Sequence, residues 1–391
     1  MNRMVIYLLA TAVFFTATSE LVVAGILPIL AEQLHISVAW AGQLITVYSL
    51  SFAIGTPIVI SLTARMKRKK LMLLAMLVFM MGSLVTLIAP SFAFLVISRI
   101  ILGVSSGVLI VASFISAAAK LVPPERIGSA IGTIILGFSV SMIVGVPIGI
   151  ALTEMFGWQM IFVFLAAGSL LILIGMAVLL PEMEGDAQVP FGMQIAALTK
   201  PVIFVALLFV LLRETGTSIM YTYLSSFLDS VLHRSSAEIG FMMLAIGLAG
   251  AVGSRLGGLA VDKWRSARVI VASVIVQASA LALLPLAVHS FSYAIILLAV
   301  WALSMFVLGP ATQTYFIEKA PQSSNLIISL NLSITQIGLA TGAAAGGMAV
   351  TMNATVLYNP WVAAFALLLS FAAIIVSIRR SKMNAKQPAL S

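Results

Sequence analysis

The sequence predicts an all-α integral membrane protein, with twelve transmembrane helices in two pseudo-symmetric six-helix bundles. Three observations lead there. Of 391 residues, 62% are hydrophobic and only 8% charged, against about 25% charged in a soluble domain. Twelve apolar segments recur between short polar breaks, near residues 5–30, 39–63, 71–89, 92–119, 129–153, 159–180, 201–230, 238–261, 269–287, 293–317, 326–352 and 361–378. Each suffices for a hydrocarbon core about 30 Å thick. Lastly, the chain repeats. Leu34, His35, Ser37 and Gly42 return 198 residues later as Leu232, His233, Ser235 and Gly240, and Arg65, Lys67 and Lys70 return as Lys263, Arg265 and Arg268. Two coincidences at one displacement, near half the chain, indicate a duplicated unit.

Taken in order, the first segment is distinguished by Glu20, about 22 Å along a helix begun at Val5. A carboxylate at that depth must face protein, water or a partner, or be protonated. Gly25 and Pro28 loosen the same helix. The second segment holds Tyr48. The fourth holds Arg99, about 10 Å from its outer end, a depth similar to that of Glu20. The fifth combines a kink with a close-contact face in Gly145-Val-Pro147-Ile-Gly149. The seventh carries Arg213-Glu214; adjacent residues on a helix do not face each other, so at most one is expected to point squarely into a cavity. Gly253 and Gly257 in the eighth, and Gly338, Gly342 and Gly346 in the eleventh, have the small-xxx-small spacing that lets backbones pack in lipid. Trp301, Asn331 and Gln336 are further candidates to line a cavity.

The breaks are too short for folded domains. The longest, 181–200, holds Glu182, Glu184 and Asp186 and reads as a cytoplasmic linker with room for a short interfacial helix. It divides residues 1–180, one bundle, from 201–391, a second bundle with a short tail.

Seventeen of the 21 Lys and Arg residues fall on one alternating set of breaks and termini, and only Arg234 on the other. That asymmetry places both termini in the cytoplasm. It also accounts for the net charge of +9 without nucleic acid, which would want a folded basic surface. The absence of cysteine excludes disulfides and thiolate chemistry. No cofactor and no metal site are expected. The spans hold no His, so an intramembrane enzyme lacks the usual bases and ligands. The first apolar run is too long for a signal-peptide core of 7–15 residues.

Several stretches resemble the major facilitator superfamily, in its twelve-helix drug:proton antiporter group. Ser19-Glu20-Leu-Val-Val-Ala-Gly-Ile-Leu-Pro28 and Ala41-Gly42 resemble that group's first-helix motif. Arg99-Ile-Ile-Leu-Gly103-Val-Ser-Ser-Gly107 resembles its fourth-helix motif. Gly145-Val-Pro147-Ile-Gly149, followed by Gly157-Trp158, resembles its fifth-helix motif, with Gln159 where the group usually has Arg. The loop after the second helix, Thr63-Ala64-Arg65-Met-Lys67, lacks the usual Gly and Asp, whereas the second copy keeps Asp262. The segment from Pro310 to Pro321 is similar to a purine-efflux branch.

The resemblance implies proton-driven export of a small organic molecule (drug, purine, nucleoside or sugar) by alternating access in a bacterial-type cell membrane, by a monomer. Glu20 and Arg99 would couple the proton. Tyr48, Arg213, Glu214, Trp301, Asn331 and Gln336 would line the substrate cavity between the halves. Asp262 would gate the cytoplasmic side. Competing classes are a facilitator or lipid flippase without proton coupling, and a non-transporting membrane sensor, although no soluble output domain is evident.

A cysteine introduced at Lys382 should stay unlabelled by a membrane-impermeant maleimide in intact cells and react once the membrane is opened. Labelling in intact cells would refute cytoplasmic termini.

Overall fold

The computed structural model describes residues 3–88, 91–116, 121, 127–185, 201–319 and 324–386. Among these the fold is helical. The helices are α1 (Arg3–Gly25), α2 (Leu27–Gln33), α3 (Val38–Leu62), α4 (Arg68–Ile88), α5 (Phe92–Ser116), α6 (Ile127–Val140), α7 (Val146–Phe156) and α8 (Gln159–Leu179). They continue as α9 (Pro201–Thr222), α10 (Leu224–Ser230), α11 (Ser236–Trp264), α12 (Ser266–Leu283), α13 (Phe291–Lys319), α14 (Ser324–Asn353) and α15 (Asn359–Lys386). Eleven spans among the described residues are long and apolar enough to cross a membrane. α14, at 30 residues, also has the length for a span. Beyond Gly185, the expected linker lies outside the described residues.

Packing divides the chain into two compact units. The first comprises Met1–Val189 with Leu224–Asp229 and His233–Gly247; the second comprises Pro190–Tyr223, Ser230–Leu232 and Leu248–Ser391.

In the first unit, α1 packs on α6, α7 and α8, α3 packs on α5, and α4 packs on α5 and α8. Small residues set the approach. Gly103 lies against the Tyr48 carbonyl, Ser51 and Phe52, and Gly107 against Thr56 and Phe52, so any side chain there would force α5 off α3. Gly137, Gly145 and Gly149 do the same against Ala10, Thr18 and Val22 of α1. Prolines disturb two helices. Pro147 has no N–H for the Ile143 carbonyl, and the helix widens into a π turn over Ser141–Gly145 before α7 begins. Pro28 leaves the Ala24 carbonyl without its helical donor; the Ser225 hydroxyl donates to that oxygen instead.

In the second unit, α9 packs on α14 and α15, and α12 packs on α13 and α15. Leu207, Val210, Ile270, Val274, Leu308 and Ile374 form part of its buried core. Gly338 sits against Glu214, Gly342 against Thr215 and Ser218, and Gly346 against Tyr223. Gly253 and Gly257 sit against Leu303, Phe306 and Val307 of α13.

The repeat is written in the backbone as well as in the sequence. His35 and His233 both take a positive φ, 54° and 52°, an uncommon conformation outside glycine. Ser37 caps α3 by accepting from the Trp40 N–H at 3.2 Å. Its counterpart Ser235 accepts from the Glu238 N–H at 3.4 Å, and the Glu238 carboxylate accepts back from the Ser235 N–H at 2.9 Å. That is a reciprocal capping box. Later in each half the displacement becomes 197: Gly145 and Gly149 match Gly342 and Gly346, and Gly157 (φ 87°) matches Ala354 (φ 54°). The first half thus carries one extra residue. The extra residue falls between Lys70 and Gly145, and the π turn over Ser141–Gly145 lies within that interval.

Neighbouring glycines of α11 separate packing from propensity. A Cβ at Gly257 would come within 2.9 Å of the Val307 Cα, whereas one at Gly258 would meet nothing within 4 Å. Gly257→Val should lower thermal stability by on the order of 1–3 kcal/mol. Gly258→Ala should be neutral or slightly stabilising. Thermal unfolding of the two purified variants checks both.

Candidate functional site

Arg99, Gly103 and Gly107 recur every fourth residue and share one face of α5. The glycines bring that face against α3, and Arg99, fully buried, is carried over Tyr48. Its guanidinium carbon lies 4.3 Å from the ring centroid, a cation–π contact. Main-chain oxygen surrounds the remaining edges. Nη1 donates to the Ser19 carbonyl at 2.6 Å, Nε to the Leu44 carbonyl at 3.3 Å, and Nη2 makes a long contact of 3.5 Å to the Glu20 carbonyl. Nη1 also lies 3.4 Å from the Ser19 hydroxyl. The Tyr48 hydroxyl in turn donates to the Thr16 carbonyl at 3.3 Å. One side chain thereby ties α1, α3 and α5 together.

Glu20 is 5% exposed and within electrostatic range of both Arg99 and Tyr48. Sequence reasoning placed Glu20 and Arg99 at one depth, and the structure does bring them together. The guanidinium also donates to main-chain carbonyls of α1 and α3, so the carboxyl is not its sole acceptor of charge. The α1 backbone nearby is held by Gly145 against Thr18, at the end of the π turn.

The second unit holds a separate polar cluster on α9 and α14. Arg213 and Glu214 form an ion pair, and both are buried. Long side chains let these two neighbours on one helix meet. Beside them the Thr215 and Thr341 hydroxyls are 2.7 Å apart, and Ser218 donates to the Leu339 carbonyl at 2.7 Å. Gln336 is buried and Asn331 half-buried on α14. Trp301 is wholly buried in α13, and its indole N–H has no partner among the described residues.

Asp262 lies exposed near the end of α11, with no ion pair among the described residues. The loop without an acid, after α3, finds one elsewhere. Lys67 pairs with Glu182 at 3.3 Å, and the Arg68 N–H donates to the Met183 carbonyl at 2.9 Å. The residues that follow α8 are thus pinned to the α3–α4 loop. Sequence reasoning missed Ser19, Leu44 and Thr16 because they contribute main-chain oxygens, which every residue possesses.

Comparison with known proteins fits this architecture. The model of the Major Facilitator Superfamily matches residues 9–343. An uncharacterised MFS-type transporter of Bacillus subtilis, YbcL, is 34% identical over 386 residues, covering 99% of this chain and 98% of the relative. The inner membrane transport protein YdhP of Escherichia coli K12 is 28% identical, with 95% of each chain covered. In fold, the chain is similar to a bacterial homolog of the human lysosomal transporter Spinster, crystallised in an inward-facing, occupied conformation. The TM-score is 0.80 at 17% identity, with 97% of each chain covered.

A lysine cannot reproduce the fork that reaches oxygens on two helices. Arg99→Lys should therefore lower stability by on the order of 2–4 kcal/mol, read as a lower unfolding temperature in detergent. Unchanged stability would mean that these contacts hold nothing.

Proposed function

The chain belongs to the Major Facilitator Superfamily, and from that premise we propose that it is a proton-coupled exporter of a small organic molecule, of the drug:proton antiporter group. Members of the family are multi-pass membrane transporters and not enzymes, so the function lies in moving a molecule rather than altering it. The observation that supports proton coupling is the buried Glu20 carboxyl beside a guanidinium fixed by carbonyls. Arg99 stays charged and in place in either state. Protonation of Glu20 therefore changes the net charge of the cluster by one unit without releasing the clamp.

An antiporter needs such a group, because only an interaction that differs between two conformations shifts their balance. Hydration and the nearby Arg99 favour the carboxylate, while closure of water access favours the acid. In the proposed cycle Glu20 takes up a proton from outside as substrate leaves, and yields it to the cytoplasm before substrate binds again. Tyr48 orients the cluster, and the α9–α14 polar groups, Arg213, Glu214, Asn331 and Gln336, contact substrate. Asp262 belongs to the cytoplasmic gate, and Trp301 packs behind the site. Both termini are cytoplasmic in this reading.

Glu20→Gln keeps the size and mimics the acid. The variant should fold with an unchanged unfolding temperature yet lose transport driven by a pH gradient in inverted vesicles, with wild type and uncoupler-treated vesicles as references. Glu214→Gln, assayed alongside, should weaken substrate binding yet keep the dependence of transport on the pH gradient. Loss in Glu214→Gln with survival in Glu20→Gln would move the coupling role to α9. Wild-type transport indifferent to the uncoupler would replace the exporter with an uncoupled facilitator.

A further inference from the structure

Three arginines lie inside apolar segments, and two have their charge met within their own unit: Arg99 by carbonyls and a tyrosine ring, Arg213 by Glu214. The third is Arg255 of α11. It is exposed and carries neither ion pair nor hydrogen bond among the described residues. It stands nine residues before Trp264, the last residue of α11, which is about 13 Å along the axis. A guanidinium without a protein partner inside an apolar segment is costly and calls for water or a ligand.

The helix shows where that partner comes from. At 100° per residue, the exposed side of α11 in the second unit divides into two sectors. Leu248, Val252, Leu256 and Leu259 form an apolar one, 45–59% exposed, suited to lipid. Ala251, Ser254, Gly258 and Asp262 flank Arg255 on the other side, and a Cβ added at Gly258 would meet nothing within 4 Å. This second sector is small, polar and open. Asp262 lies on it two turns away, about 10 Å along the axis, too far to neutralise the guanidinium directly.

We propose that Arg255 receives the oxyanion, a carboxylate or phosphate, of an anionic organic molecule carried by this protein. The planar fork suits a two-oxygen acceptor, and neighbouring small residues leave room for it. An anionic lipid headgroup presents the same chemistry, so the experiment separates the two sources. The assignment rests on the transporter reading but not on proton coupling.

The test is thermal unfolding of the purified full-length protein in maltoside detergent, where no gradient exists, so its outcome is independent of the Glu20 assay. The soluble probes are benzoate, phenyl phosphate and the neutral benzamide, with dihexanoyl phosphatidylglycerol and dihexanoyl phosphatidylcholine as the lipid arm. Bound ligand raises the unfolding temperature. Benzoate or phenyl phosphate should raise it by several degrees and benzamide should not. The shift should vanish in Arg255→Gln and shrink in Arg255→Lys. Without ligand, both variants should unfold near the wild-type temperature, since Arg255 touches no partner among the described residues. Stabilisation by phosphatidylglycerol alone, lost in Arg255→Gln, would assign the residue to a headgroup and overturn the carried anion. Absence of any Arg255-dependent shift, in every arm, would overturn the oxyanion site itself.

Discussion

A guanidinium inside a membrane protein must be surrounded by oxygen, and the first unit is built so that Arg99 is. Its acceptors are carbonyls that already belong to helices α1 and α3. They can be reached only if α5 lies almost in backbone contact with α3. Gly103 and Gly107 permit that contact, so glycine spacing and a buried cation are two parts of one requirement. Between them they fix where Glu20 lies and what it feels.

The same reliance on small residues runs through the rest of the molecule for a different reason. Lipid gives helices no hydrophobic incentive to associate, so close van der Waals contact must do so. The stripes on α14 and α11 lie on their neighbours' backbones, and hydroxyls such as Ser218 bond to carbonyls across the gap. Such faces have few protruding side chains to lock them in one register. A protein that must exchange conformations benefits from surfaces of that kind.

Much of the fold was legible in the sequence because apolar length, glycine spacing and an internal repeat are one-dimensional signals. The motif residues Glu20, Arg99, Gly145 and Pro147 were legible for the same reason. Other features were not. The break at Tyr223 has no Gly or Pro of its own to announce it, unlike the one at Ile26 between Gly25 and Pro28. The π turn is hidden because a kink read at Gly145 and Pro147 does not say which hydrogen-bonded ring the preceding turn adopts. The carbonyl cage of Arg99 has no side-chain signature at all. The Arg213–Glu214 pair defeats spacing rules because side-chain length outweighs the angle between adjacent positions.

What the two halves share and what they do not share divides scaffold from chemistry. Caps, positive-φ turns and glycine contacts repeat at 198 or 197 residues. The charges inside the spans do not. At a displacement of 198, Glu20 corresponds to Ser218, Arg99 to Leu297, Tyr48 to Ile246, Glu214 to Thr16 and Arg255 to Pro57. A charge inside a span is costly wherever it occurs, so duplication alone would not place these five polar groups at unmatched positions. The repeated residues account for a symmetric frame that can adopt two related arrangements. In the proposed cycle the unrepeated ones would make those arrangements unequal in proton and ligand affinity, as a gradient-driven transporter requires.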